Sequence, residues 1–319
     1  MENGSVTLKC PATSANLGSG YDICGIALKA PSEILELSIS QECEHPLPCG
    51  ITIQNGGRFE VPSEDNGNSV FCPVVKKMRE DFGFSEKLKI RIEKNIKPAS
   101  GLGSSAASSA GIAVAINELF HLKLSDEELI SYASLGEAVA AGVPHLDNIA
   151  PAICGGFTAV YKENPVSLLK LKPPANLECL VILPHHEKKS TAHAREILPK
   201  TISREDALYN SKKLSALLAG FMNKDSQCII NALDDRIVES ARENAGILLR
   251  ISLLKKIGMK LGYGAAASGA GPALIALGEK NNPKKKEFEE KARALYSIQD
   301  EKERAFWTEI SEKGIEIVK

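Results

Sequence analysis

Apolar and polar residues alternate in VTLKC from Val6, in ILELSIS from Ile34 and in the short GITIQ from Gly50. Period two predicts strands with one buried face. The polar run SEDNGN leads into an apolar-periodic helix from Ser69 to about Asp81, and alternation returns in LKIRIEK, Leu88 to Lys94. A Gly-rich stretch then runs into an apolar helix, Ser105 to Leu119. Ser125 and Glu128 have capping-box spacing and start a helix through about Ala141. PHLDNIAPAICGGFTAVY reads as a loop, a short helical turn and a strand.

A break at Asn164-Pro165 and the proline-rich KLKPPANLE suggest a hinge, dividing the chain into 1–164 and 165–319. The second half opens on strand LECLVILP. Helices follow at about Ala192–Glu196, Arg204–Phe221, Ser226–Ala232 and Ile247–Lys256. Strand PALIALGE, a helix at about Pro283–Tyr296 and strand IEIVK complete the pattern. Strands and helices are intermixed without a regular βαβ repeat, so the fold class is α+β in two layers.

The 319 residues suffice for two cores. Hydrophobic content of 43%, charged content of 25% and a net charge of −1 argue against a nucleic-acid or membrane surface. No apolar run reaches the roughly 18 residues of a membrane span, and MENGSVTLK lacks a signal-peptide core, so a cytoplasmic protein is expected. The eight cysteines show no C-x-x-C or metal spacing. In a reducing compartment they read as small buried hydrophobes, not as a disulfide framework.

The chemistry concentrates in PASGLGSSAASS, Pro98 to Ser109, between a strand and a helix start. Backbone N–H groups at a helix start lack intrahelical partners and carry partial positive charge, so such a turn can hold a phosphate. Gly101 and Gly103 let the backbone approach an anion, and Ser104 and Ser105 could add hydroxyl contacts to phosphate or metal. A Walker loop needs a lysine after its last glycine, and none is present. GLGSSA fits Rossmann spacing, yet the expected acid about 20 positions on would be Glu118, inside the helix. Taken alone, the loop is equally a tight packing turn.

Three separated segments are similar to motifs of the GHMP small-molecule kinases. These are Pro98–Ala106 with its G-L-G-S-S-A, PATSANLGSGYD at Pro11–Asp22, and GAAASGAGPALIAL at Gly264–Leu277. Within that superfamily, the Pro11–Asp22 segment and HLDNIAP, His145–Pro151, resemble the homoserine kinase branch. The resemblance implies an N-terminal domain like ribosomal protein S5 domain 2, a ferredoxin-like C-terminal domain and an active site between them. It implies ATP and Mg²⁺, a small-molecule acceptor of the L-homoserine type, and suggests a homodimer.

By the same resemblance, ATP is held by Pro98, Ala99, Ser100, Gly101, Leu102, Gly103, Ser104, Ser105, Ala106 and Ser108, with Asn68 at the adenine. Ser105 and Glu137 are the metal pair. Glu137 lies among alanines and valines, where a buried carboxylate needs a partner; the plain alternative is that it faces water. Asp147 and Asn148 contact the acceptor, Asp147 at the ammonium and Asn148 at the hydroxyl. Asn148 stands where other members place an aspartate base, and an amide takes no proton. Catalysis by Asn148, Glu137 and Ser105 is then positioning and charge stabilisation. His145 reads as a structural hydrogen-bonder. Arg195 with Thr191, and Arg242, match local patterns for the acceptor carboxylate, and arginine suits that task by bidentate pairing. Asn16 and Asp22 line the acceptor site, while Ser268, Gly269 and Gly271 form a second glycine turn that closes the cleft. The competing readings are a superfamily kinase with a mevalonate- or shikimate-like acceptor, and a binding protein that has lost catalysis.

Overall fold

The computed structural model describes residues 4–40, 47, 49–61, 69–185 and 191–318. The first half contains β1 (Ser5–Asn16), β2 (Gly20–Ile39), β3 (Ile51–Gly57), α1 (Phe71–Phe82), β4 (Leu88–Lys94), α2 (Ser104–Leu119), α3 (Asp126–Ala141), α4 (Leu146–Cys154) and β5 (Phe157–Glu163). The second contains β6 (Val166–Leu171), β7 (Leu177–Ile182), α5 (Thr191–Glu196), α6 (Arg204–Asn223), α7 (Ser226–Ala232), α8 (Val238–Asn244), α9 (Ile251–Leu261), β8 (Tyr263–Ala267), β9 (Leu274–Glu279), α10 (Lys285–Leu295), β10 (Ala305–Thr308) and β11 (Glu316–Ile317). Among the described residues no helix is long and apolar enough to cross a membrane.

The described strands form a seven-stranded sheet, with path β11-β1-β2-β4-β3 and hairpin β5-β6 on β2, and a four-stranded sheet β10-β7-β9-β8. The predicted strands at Val6 and Ile34 belong to much longer β1 and β2. The inner half of β2 shows no alternation because residues 24–28 are buried on both faces, with α4 packed against that strand. Asn164-Pro165 is the turn of the β5–β6 hairpin, whose register runs Glu163↔Val166. The change of sheet comes after it, between Leu171 and Leu177.

The four-stranded sheet separates two cores. Cys179 and Val181 of β7 enter the large core, whereas Leu180 and Ile182 enter the small one under α9 and α10. On β9, Ile275 and Leu277 face the large core, and Leu274 and Ala276 the small one. Strand period two with both faces covered gives the unbroken apolar runs of CLVI and LIAL.

The helix behind the glycine loop is central. Nearly all of α2 is buried, which explains its lack of an amphipathic stripe. Its small residues permit close approach: a Cβ on Gly111 would stand 2.9 Å from Cys10 Sγ. The capping box predicted at Ser125 and Glu128 is formed at the start of α3.

One expectation fails. Cys49 and Cys72 form a disulfide with Cα atoms 5.4 Å apart, because the strand-edge turn before β3 lies against the first turn of α1. Cys10, Cys24, Cys154 and Cys179 are free and buried, as small hydrophobes are.

Below α2 lies an ion pair. Lys94 at the end of β4 donates to Glu33 of β2 at 2.5 Å, with both side chains almost inaccessible. Lys94 also donates to the Ser104 carbonyl at 3.0 Å and to Ser108 Oγ at 2.7 Å, so its three N–H groups are all engaged. Ser108 donates to the other Glu33 oxygen at 2.8 Å. Burial pushes the Glu33 carboxyl above the usual range, and Lys94 opposes that rise. Removing one partner strands the other charge. Lys94→Met should therefore lose about 3–5 kcal/mol in a denaturant melt, and Lys94→Met/Glu33→Gln should recover part of it; a single variant as stable as the parent would contradict this.

Candidate active site

Three segments remote in sequence meet around one cavity of about 430 Å³. The ends of β1 and β2 at their turn supply Asn16, Tyr21 and Asp22; the loop before α2 supplies residues 98–101 and Gly103, and the first turn of α2 Ser104 and Ser105. Glu137 comes from α3, Asp147 and Asn148 from the first turn of α4, Thr191 and Arg195 from α5, Arg242 from α8 and Gly269 from the β8–β9 turn. Ser108 also lines it. Leu102 and Ala106 are buried behind the loop. Asn68 lies outside the described residues.

The glycine loop has the form an anion site requires. Gly103 is the N-cap of α2 at φ 64°, and it provides no side-chain cap. The first-turn N–H groups are thus left for a ligand. The loop hydroxyls divide sharply. Ser100 donates to the Lys97 carbonyl at 2.7 Å and Ser104 to the Ile96 carbonyl at 2.9 Å. Ser108 is committed to Glu33. Ser105 is half-buried on the cavity wall, with no side-chain hydrogen bond among the described residues.

Glu137, which lines the same cavity as Ser105, is buried. One of its oxygens contacts His145 Nδ1 at 3.0 Å; the other, Oε2, is buried with no hydrogen-bond partner among the described residues. An orphaned carboxylate oxygen is costly unless a cation meets it. Glu137 and Ser105 together offer hard oxygen donors of the kind Mg²⁺ takes. His145 orients Glu137, which agrees with a structural reading of that histidine.

The third glycine segment docks onto the first two. The Ser268 hydroxyl donates to the Gly101 carbonyl at 2.8 Å, and the Gly269 N–H to the Ala15 carbonyl at 3.0 Å. Asn16 donates to the Gly269 carbonyl at 2.7 Å and accepts from the Asp22 N–H at 3.1 Å. These two bonds hold Asn16 and Asp22 at positive φ, 77° and 57°.

Charges of both signs surround the acceptor side. Asp147 is buried, and that burial pushes its carboxyl up to about 7, opposed by His145 and aided by Asp22. Arg242 is buried too; its Nε and Nη1 are held by the carbonyls of Ala194 and Gly269, leaving Nη2. Burial lowers its pKa. Arg195 donates to Asp22 at 2.8 Å, so these two predicted substrate contacts pair with each other here. Tyr21 is not singled out by sequence reasoning. Its ring lies 5.6 Å from the Arg195 guanidinium and 5.3 Å from that of Arg242, a shared π face for two like charges. The one signal for it is the aromatic position between glycine and aspartate in the first motif.

An uncapped helix start facing a small pocket charged with both signs defines a small-molecule phosphotransferase site. Residues 68–156 match the family described as GHMP kinases N terminal domain. The chain is 44% identical to a homoserine kinase of Methanococcus maripaludis, over 85% of this chain and 87% of that one. It is 36% identical to a homoserine kinase of Saccharolobus solfataricus, over 88% of each. The crystal structure of homoserine kinase from Cytophaga hutchinsonii superposes with a TM-score of 0.87 at 28% identity, covering 100% of this chain and 98% of that one. The chain belongs to the homoserine kinase family of the GHMP kinases.

A Cβ on Gly103 would stand 1.9 Å from Thr13 Oγ1, and one on Gly101 2.5 Å from the Ser268 carbonyl oxygen. Gly103→Ala should therefore displace the loop and weaken ADP binding at least about tenfold by titration calorimetry; unchanged affinity would remove the loop from the nucleotide site.

Proposed function

We propose that the protein is an ATP-dependent homoserine kinase, transferring the γ-phosphoryl group to the side-chain hydroxyl of L-homoserine to give O-phospho-L-homoserine. The observation that carries this reading is that buried Asp147 and buried Arg242 line the same pocket, beside the phosphate loop. A zwitterion satisfies both charges. Mevalonate and shikimate carry a carboxylate but no ammonium, and would leave Asp147 unpaired.

In this reading the first turn of α2 and the loop at 98–104 hold the ATP phosphates through backbone N–H groups. Ser105 and Glu137 hold Mg²⁺, which neutralises charge on the phosphates when bound. Arg242 and Arg195 take the acceptor carboxylate, with Thr191 beside them, and Asp147 and Asp22 take its ammonium. Asn148 orients the hydroxyl. No aspartate base stands at that position, so the chain contributes alignment and charge complementarity, and the hydroxyl proton passes to a phosphoryl oxygen or to water. Asn68, outside the described residues, is assigned to the adenine in this proposal.

A coupled ADP-release assay across homoserine, mevalonate, shikimate and galactose should show turnover with homoserine. Turnover with another of these alcohols and none with homoserine would overturn the assignment. The raised Asp147 pKa gives a sign for pH: the carboxyl is neutral below about 7 and ionised above it. Because kcat/KM reports the free enzyme, it should rise with pH through about 7. Asp147→Asn should remove that inflection and cost about 2–4 kcal/mol of kcat/KM.

A further inference from the structure

Thr13 lies on β1, fully buried. Its amide N–H donates to the Leu102 carbonyl at 3.1 Å, inside the phosphate loop. Its hydroxyl donates to Asn148 Oδ1 at 2.9 Å. The same Cβ on Gly103 that would meet Thr13 would also lie 3.0 Å from Asn148 Oδ1, so the helix N-cap, Thr13 and Asn148 converge on one point.

The two ends of an amide differ only in what they can bond. Asn148 Nδ2 lies 3.3 Å from Asp147 Oδ1. An ionised carboxylate only accepts, so the N–H end must face it and the carbonyl end must face Thr13. The Thr13 hydroxyl, a donor, then fixes the amide in that orientation. Turned over, the amide would set its oxygen against the Asp147 carboxylate.

We propose that Thr13 is a positioning residue of the phosphoryl transfer. It locks Asn148 with its N–H side toward the acceptor hydroxyl and ties that amide, through Leu102, to the loop that holds the phosphates. This rests on the acceptor site proposed above. Held so, Asn148 offers the hydroxyl a donor and no acceptor, which orients an oxygen lone pair without taking the proton. The distance between attacking oxygen and phosphorus is then governed by one threonine that touches neither.

The test uses the full chain with homoserine and ATP. Thr13→Val keeps the shape and removes the donor; it should lower kcat about 10- to 100-fold, as small misplacements in a reacting pair do, while the KM for ATP stays within about twofold. Thr13→Ser, which keeps the hydroxyl, should recover most of that loss. In a double-mutant cycle with Asn148→Ala, the effect of Thr13→Val should largely vanish, because it acts through that amide. Should Thr13→Val fail to fold, Thr13→Ala carries the same comparison. A folded hydroxyl-free variant with parental kcat, or a cycle that is fully additive, overturns the proposal while leaving the homoserine reading intact. A parent protein that leaves homoserine unphosphorylated overturns both.

Discussion

The structure depends on backbone packed against backbone at the start of α2. A Cβ on Gly101 would stand 2.5 Å from the Ser268 carbonyl oxygen, and one on Gly103 would run into the Thr13 hydroxyl, so neither position admits a side chain. Ser268 and Ala273 bond directly to the phosphate loop, through the carbonyls of Gly101 and Ser100. Gly269 bonds to Ala15 of β1. A ligand site built from N–H groups needs this closeness, because the donors that face an anion cannot also be shielded by their own side chains. Two of the three glycine-rich segments are faces of this contact; in the Pro11–Asp22 segment, a Cβ on Gly18 would instead meet the Asp234 backbone.

Charge is distributed around that contact by depth. Beneath the helix, Lys94 and Glu33 satisfy one another and engage Ser104 and Ser108. Those serines face inward as parts of the scaffold. Above it, among the described residues, Glu137 keeps an oxygen without a partner, and Arg242 keeps one nitrogen beyond its two carbonyl bonds. The saturated cluster provides rigidity; the unsaturated one provides affinity for something not in the chain. A buried polar group that is unmatched in the folded protein is a cost borne for binding.

Much of this is legible in the sequence, and the remainder has physical reasons. The glycine loop, the capping box at Ser125 and the helix Ser226–Ala232 follow from local chemistry, and the structure forms them. The acceptor-side residues Asp147, Asn148, Arg195 and Arg242 follow from motif resemblance, and the fold gathers them on one cavity. The inner half of β2 escapes a periodicity reading because it is covered on both faces and shows no period. Strand β8, YGAAA, escapes it because alanine carries no strand signal, and helix α8 because it is a single short segment between loops. The roles of Lys94 and Thr13 are invisible for another reason, although Thr13 lies within the Pro11–Asp22 segment. Each looks like an ordinary strand residue, and its importance arises from partners that only the tertiary fold brings near. Of the two signals read as a hinge, Asn164-Pro165 is hairpin-turn chemistry, while the change of sheet falls within the proline-rich KLKPPANLE.

The pairing of β11 with β1 has a consequence for biogenesis. Leu8 and Lys9 sit beside Ile317 and Glu316, so a strand made early waits for one made some 300 residues later before its outer edge is covered. A ribosome emitting this chain exposes an unpaired edge throughout that interval. Completion of the large sheet, and of the acceptor loop that β1 carries at its other end, is therefore a late event set by long-range closure.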